Sequence, residues 1–205
     1  RYISVDGGMS DNIRPSLYGA EYTTILANRT SSAAHTSSRL VGKHCKTGDI
    51  ITEQTYDNFE LSWEWRIEKE GNNGVKYFVT EDRPKSPGPE YQMLDDAGHP
   101  DGKIGPHRQT ASFYEVLPPA ADKPMRKPGE WNSSRIIVRG KKVEHWLNGR
   151  MVLAYELGSD AVKAGLARSK FKNEAGFGDK IDGHLLLTYH NDDCWYRNLK
   201  IRELK

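Results

Sequence analysis

The stretch from 58 to 67, "NFELSWEWRI", decides the fold class. Phe59, Leu61, Trp63, Trp65 and Ile67 fall at every second position, with Glu60, Ser62, Glu64 and Arg66 between them. That period of two puts the apolar set on one face of a β-strand and the polar set on the other. The runs around it repeat the theme. "VKYFVT" (75–80), "EYQML" (90–94), "TASFYEVL" (110–117), "SSRIIVRG" (133–140), "KKVEHWL" (141–147), "RMVLAYEL" (150–157), "HLLLTYH" (184–190) and "CWYRNLKIREL" (194–204) are short and β-type, and turn residues separate them. "EGNNG" (70–74) reads as a turn, pairing the strands on either side of it as a hairpin, and Asn148-Gly149 marks a second, tight hairpin. One short helix is expected, running from Ser159 as N-cap through "DAVKAGLARSKF". Strands so outnumber helices that the fold class is all-β, two antiparallel sheets packed face to face.

The chain has 205 residues, enough for one large domain. Residues 1–38 read as an irregular N-terminal arm packed on the domain, and 39–205 as a single β-sandwich. The formal charge is only +2, which argues against a nucleic-acid binder held by phosphate neutralisation. No apolar run approaches the ~20 residues of a membrane helix, so the chain is not expected to span a membrane, and no signal peptide stands at its start. Cys45 and Cys194 lie in no C-x-x-C pair; a bridge between them and two separate thiols are both open.

G-x-S-x-G, H-E-x-x-H, G-x-x-x-x-G-K and G-x-G-x-x-G are all missing, which removes the usual hydrolase, zincin and nucleotide-site readings; no nucleotide or organic cofactor is expected. Carboxylates, histidines, a lysine and aromatics remain, a set that suits carbohydrate. If one sheet forms a concave face, Glu64 and Arg66 from one strand, Lys76 from the next, and Glu90 with Gln92 from a third would converge on it. Glu90 and Gln92 are the least ordinary of these, because Glu has low strand propensity and the run lies between the Pro-rich "EDRPKSPGP" and the loop "DDAGHPDGKIGPHRQ" (95–109). In that loop His99 and Asp101 either shape turns or touch ligand. His190 stands at a strand end beside Asp192 and Asp193, placed as a base or metal ligand. His145 shares a face with Val143 and Leu147, which favours a place in the core, though a ligand contact stays open.

The succession "YDNFELSWEWRI", "GNNGVKYFV", "GPEYQMLDDAGHPDG", "HRQTASFYEVLPP", "KPGEWNSSRIIVRGKKVEHWLNGRMVLAYEL", "SKFK", "GFG" and "GHLLLTYHNDDCWYRNLKIREL" closely resembles the 3-keto-disaccharide hydrolase family, once described as a domain of unknown function. The resemblance covers about residues 40 to 205. It implies a concanavalin-like jelly-roll sandwich, a periplasmic or extracellular bacterial protein, and cleavage of a glycoside already oxidised to a ketone at C3. The family's last motif reads like "QDHG"; here "TYHN" keeps His190 and puts Tyr189 in place of the acid. As the resemblance implies, Glu90 and His190 are acid/base or metal-ligand candidates, with a divalent ion as a possible cofactor. Lys76 would stabilise developing negative charge, and Glu64, Arg66, Gln92, His99, Asp101, Arg108, Tyr114 and His145 would line the place of the oligosaccharide or glycoside. Two other readings compete: an ordinary glycoside hydrolase using two of Glu64, Glu90 and Asp95, and a non-catalytic carbohydrate-binding module. "EYQMLD" looks like the E-x-D-x-x-E of some glucanases, with Gln92 at the middle acid.

Overall fold

The computed structural model describes residues 49–81, 87–190 and 192–204, together with the backbone of Leu40–Val41. The arm expected over 1–38 and Cys45 lie outside the described residues. Among the described residues ten strands form two five-stranded antiparallel sheets. The front sheet has the order β1 (Leu40–Val41), β2 (Ile50–Thr52), β9 (His184–Leu187), β4 (Asn72–Val79), β5 (Glu90–Leu94). The back sheet has the order β10 (Cys194–Glu203), β3 (Phe59–Ile67), β6 (Asn132–Arg139), β7 (Lys142–Leu147), β8 (Arg150–Glu156). This is the all-β architecture that the alternation predicts.

β3 shows why the sheets stack. Its five apolar residues are all buried and its intervening polar residues half-buried, so one face is committed to the interior. Trp63 reaches across to the front sheet, its indole N–H donating to Met93 Sδ at 3.2 Å, with Tyr91 edge-on to its ring. The Trp65 indole donates to Ser134 Oγ at 2.8 Å, and the Tyr91 hydroxyl meets the same Ser134 oxygen. Each polar tip on these large rings therefore has a partner, which makes burying them favourable.

Two expectations fail, and a third is met with an addition. β3 and β4 do not form a hairpin: β3 pairs with β10 and β6, while β4 pairs with β5 and β9. The turn at Glu68–Gly71 instead carries the chain from the back sheet to the front one, with Glu70 at φ 61° and Gly71 N–H closing onto Glu68 O. Both strands have an apolar face, and stacking them face to face buries both. The second failure is "TASFYEVL", which is no strand. Ala111 and Glu115 take positive φ, so the run turns on itself, with Phe113 bridging back to Leu117, and it meets β5 through one isolated bridge, Tyr91 to Phe113, and a few backbone hydrogen bonds. Third, the predicted helix forms as α2 (Asp160–Arg168), capped by Ser159, but it is joined by α1 (Pro100–Ile104) and a 3-10 turn, Pro106–Arg108, inside the 95–109 loop. His99 caps α1 by accepting Asp101 N–H on Nδ1, and Pro100 provides a preset first position.

The Asn148-Gly149 hairpin is as expected. Both residues have positive φ, 48° and 83°, and they join β7 to β8.

Candidate active site

β5 places Tyr91 and Met93 in the core, so Glu90, Gln92 and Leu94 point to the outer face of the front sheet. On β4, Lys76 lies directly opposite Glu90, and Gly74 opposite Gln92. Gly74 shapes the site. A β-carbon there would stand 2.0 Å from Glu90 Oε1 and 2.9 Å from its Cδ, so the carboxylate rests on bare backbone. Thr188 continues the pairing beyond β9, its N–H and hydroxyl both donating to Gly74 O, so the chain runs beside β4 two residues before His190, whose charge acts on Glu90.

The other edge of β5 is covered. Ala111 N–H donates to Gln92 O at 2.8 Å and Tyr114 N–H to Glu90 O at 3.0 Å, so residues 111–114 run along it as a strip. Behind the strip Tyr114 donates its hydroxyl proton to Asp101 Oδ2 at 2.7 Å, and Arg108 donates to Asp101 Oδ1 at 2.7 Å while also pairing with Glu115. Lys170, just past α2, donates to the Tyr114 oxygen at 3.3 Å, with its ammonium over the Tyr114 ring. Burial pushes the Tyr114 phenol up, and the bond to the Asp101 carboxylate pushes it the same way, so it stays a neutral hydrogen-bond donor. Burial alone would raise Asp101; its bonds from Tyr114 and Arg108 outweigh that and hold its acid below the usual range.

Glu90 is the unusual group. It is 6% exposed, and no hydrogen bond or ion pair holds its carboxylate among the described residues. Burial raises its acid above the ordinary carboxylate range, against the opposing charges of Lys76, His190 and Lys170. Asp49 adds a weak push upward. The structure therefore collects Glu90, Lys76 and His190 on one face, with Gln92 beside them and Tyr114, Asp101, Arg108 and His99 behind the β5 edge.

Three of the candidates stand elsewhere. Glu64 and Arg66 are on the outer face of the back sheet, because β3 belongs to that sheet and turns its apolar face inward. Glu64 accepts from Arg197 and Asn198, and Arg66 stacks on Trp195 at 4.1 Å. They do not meet Glu90. His145 is fully buried between the sheets, Nε2 3.1 Å from the Tyr77 hydroxyl and Nδ1 3.0 Å from Ala111 O, so it supports the strip from below rather than touching ligand. Asp95 is occupied too: its two oxygens accept from Glu70 N–H and Gly98 N–H. Sequence reasoning missed Gly74 and Lys170. Glycine inside a β run was a usable signal for a close approach; nothing local marked Lys170.

Among the described residues no three His, Cys, Asp or Glu side chains are grouped to hold an ion, and two lysines face the carboxylate that would be its first ligand.

A family model for the 3-keto-alpha-glucoside-1,2-lyase-like domain matches residues 28–202. The chain belongs to that family. A 3-keto-disaccharide hydrolase from Bacteroides thetaiotaomicron is 35% identical over 184 residues, a match that takes in 77% of this chain. The chain spans 62% of that protein's length. Among solved structures, a candidate glycosyl hydrolase from Parabacteroides distasonis superposes with a TM-score of 0.70 at 32% identity, over 78% of this chain and 77% of the other. A separate, short similarity is to diaminopimelate decarboxylase of Mycobacterium tuberculosis, 61% identical over 56 residues but only 12% of that protein, too little to bring its activity along.

Proposed function

We propose that this family member cleaves 3-keto-glycosides by proton abstraction at C2, elimination of the C1 substituent and hydration, with Glu90 as the base. The observation that supports the reading is Glu90 itself: a buried carboxylate with no partner of its own, faced by several cations. A ketone at C3 acidifies the C2 hydrogen. Glu90 takes that proton, and the electron pair of the C–H bond becomes an enolate whose charge sits on the ketone oxygen. Lys76, directly across the β4–β5 ladder, offsets that charge. The enolate then forms the C1–C2 double bond as the C1–O bond breaks, and the leaving oxygen takes a proton from His190. Water added across the double bond restores C2–H and gives a C1 hydroxyl. No step passes through a metal ion.

An ordinary glycosidase needs two carboxyl groups about 5 to 10 Å apart across the bond. Of the three acids considered for that role, Glu64 is on the opposite face and Asp95 is engaged with backbone, so Glu90 stands without a second carboxylate from that set. The test uses one disaccharide in its 3-keto and unoxidised forms, with and without chelator, in deuterated water. Turnover of the keto form alone, with deuterium entering at C2, is expected, and Glu90→Gln should abolish it. Turnover of the unoxidised sugar would sink the proposal, and so would binding of both forms without reaction.

A further inference from the structure

Glu90 is approached from two sides. Lys76 and His190 come from β4 and the segment after β9, which lie on one side of β5. Lys170 comes from the other side, over the strip along the outer edge of β5. Its position is fixed by three contacts: the 3.3 Å bond to Tyr114 Oη, the Tyr114 ring 4.5 Å from its nitrogen and the Phe171 ring at 5.2 Å. Tyr114 is itself anchored on Asp101, and Asp101 on Arg108. Asp101 already has Arg108, and Lys170 makes no ion pair among the described residues. Lys170 is exposed, so its ammonium is open to a ligand arriving at the outer edge of β5. It is held by neutral rings with charge to spare, and an ammonium with one proton on Tyr114 keeps two for another acceptor.

We propose that Lys170 is a further functional residue of this face: fixed on Tyr114 at the outer edge of β5, it contacts the substrate oxygens that gain negative charge, from the side opposite Lys76. This rests on the reading given above. One carboxylate needs one counter-charge, and the surplus fits a bound species that becomes anionic, as an enolate does. The charged and titratable groups that act on Glu90 are Lys76 of β4, His190 after β9, Lys170 after α2, Asp49 before β2 and Tyr114 of the strip, while Tyr196 of the back sheet lies between the sheets, behind β4 and β5. Of these, Lys170 alone comes from the α2 side.

The experiment compares kcat, KM and the pH dependence of kcat/KM on a 3-keto-disaccharide for the parent chain, Lys170→Met and Lys170→Arg. Lys170→Met should lower kcat at least tenfold with a smaller change in KM, and move the acidic limb of the profile to higher pH, because Glu90 loses one of its opposing charges. Lys170→Arg, which keeps the charge, should recover most of the rate and the parent limb. An unchanged rate in Lys170→Met would overturn the proposal. A rate lowered equally at every pH would overturn it as well, since that is what lost structure alone would do. Should Lys170→Met not fold, judged by circular dichroism, Lys170→Gln takes its place under the same criteria. A parent chain that leaves 3-keto-sugars untouched refutes the underlying reading instead, so the two failures are distinct.

Discussion

Replacing Gly74 by alanine tests whether the placement of Glu90 matters more than its presence. The new β-carbon would lie 2.0 Å from Oε1 and 2.9 Å from Cδ, against an ordinary contact of 3.4 Å or more. The carboxylate oxygen must therefore retreat by about 1.4 Å, a difference taken from those two distances. Gly74 is in regular strand with no positive φ, so the backbone accepts alanine without strain. What moves is the end of a side chain, which bears mainly on chemistry. A misplacement of about 1 Å in a reacting group costs roughly 100-fold in rate, or about 2.7 kcal/mol of barrier. Stability should change by only about 1 kcal/mol, because alanine replaces strand glycine while the Glu90 side chain shifts. Gly74→Ala should thus melt within a few degrees of the parent and turn over a 3-keto-disaccharide ~100-fold more slowly. The assays are a thermal melt and initial rates at saturating substrate. Full activity in this variant would refute the claim that Glu90 acts from its place over Gly74.

Two further outcomes follow from groups buried away from that face. Burial depresses the His145 imidazolium to about 4, while its Ala111 hydrogen bond works the other way. The unfolded chain binds this proton near pH 6.5 and the folded one does not, so stability is full above pH 6.5 and falls as pH drops toward 4, by about 3 kcal/mol in all. Urea midpoints across that window should show the fall, and His145→Gln should flatten it; an unflattened slope would assign it to other groups. Burial also pushes the Cys194 thiol up to about 12, against a hydrogen bond with Tyr196 that lowers it. Iodoacetamide at pH 8 should therefore leave Cys194 unmodified in native protein and label it in urea, as peptide mass mapping would read; rapid native labelling would contradict its burial.

Much of the fold is legible where the physics is local. Period-two burial marks β3 residue by residue, and Asn148-Gly149 declares its hairpin because few residue pairs accept positive φ twice in succession. The β3–β4 connection is not local in that sense. "EGNNG" tells that the chain turns, whereas which sheet it enters depends on two apolar faces seeking each other. "TASFYEVL" misleads for a related reason: its composition is β-type, but positive φ at Ala111 and Glu115, neither of them glycine, breaks the run. At the site, Lys76 and Glu90 are readable as members of neighbouring strands. Glu64 and Arg66 drop out with the failed hairpin. Lys170 arrives from a distant segment, with no spacing to announce it.

The strip along β5 has a second consequence, for solubility. Uncovered, β5 would be the terminal strand of the front sheet and would offer an open row of N–H and C=O groups to a strand of another molecule, a common start of aggregation. The bonds from Ala111 and Tyr114 close that row, and the same residues form the support on which Lys170 rests. The wall of the site and the guard against self-association are one piece of chain, so drift toward a looser wall would be selected against twice, once through catalysis and once through precipitation.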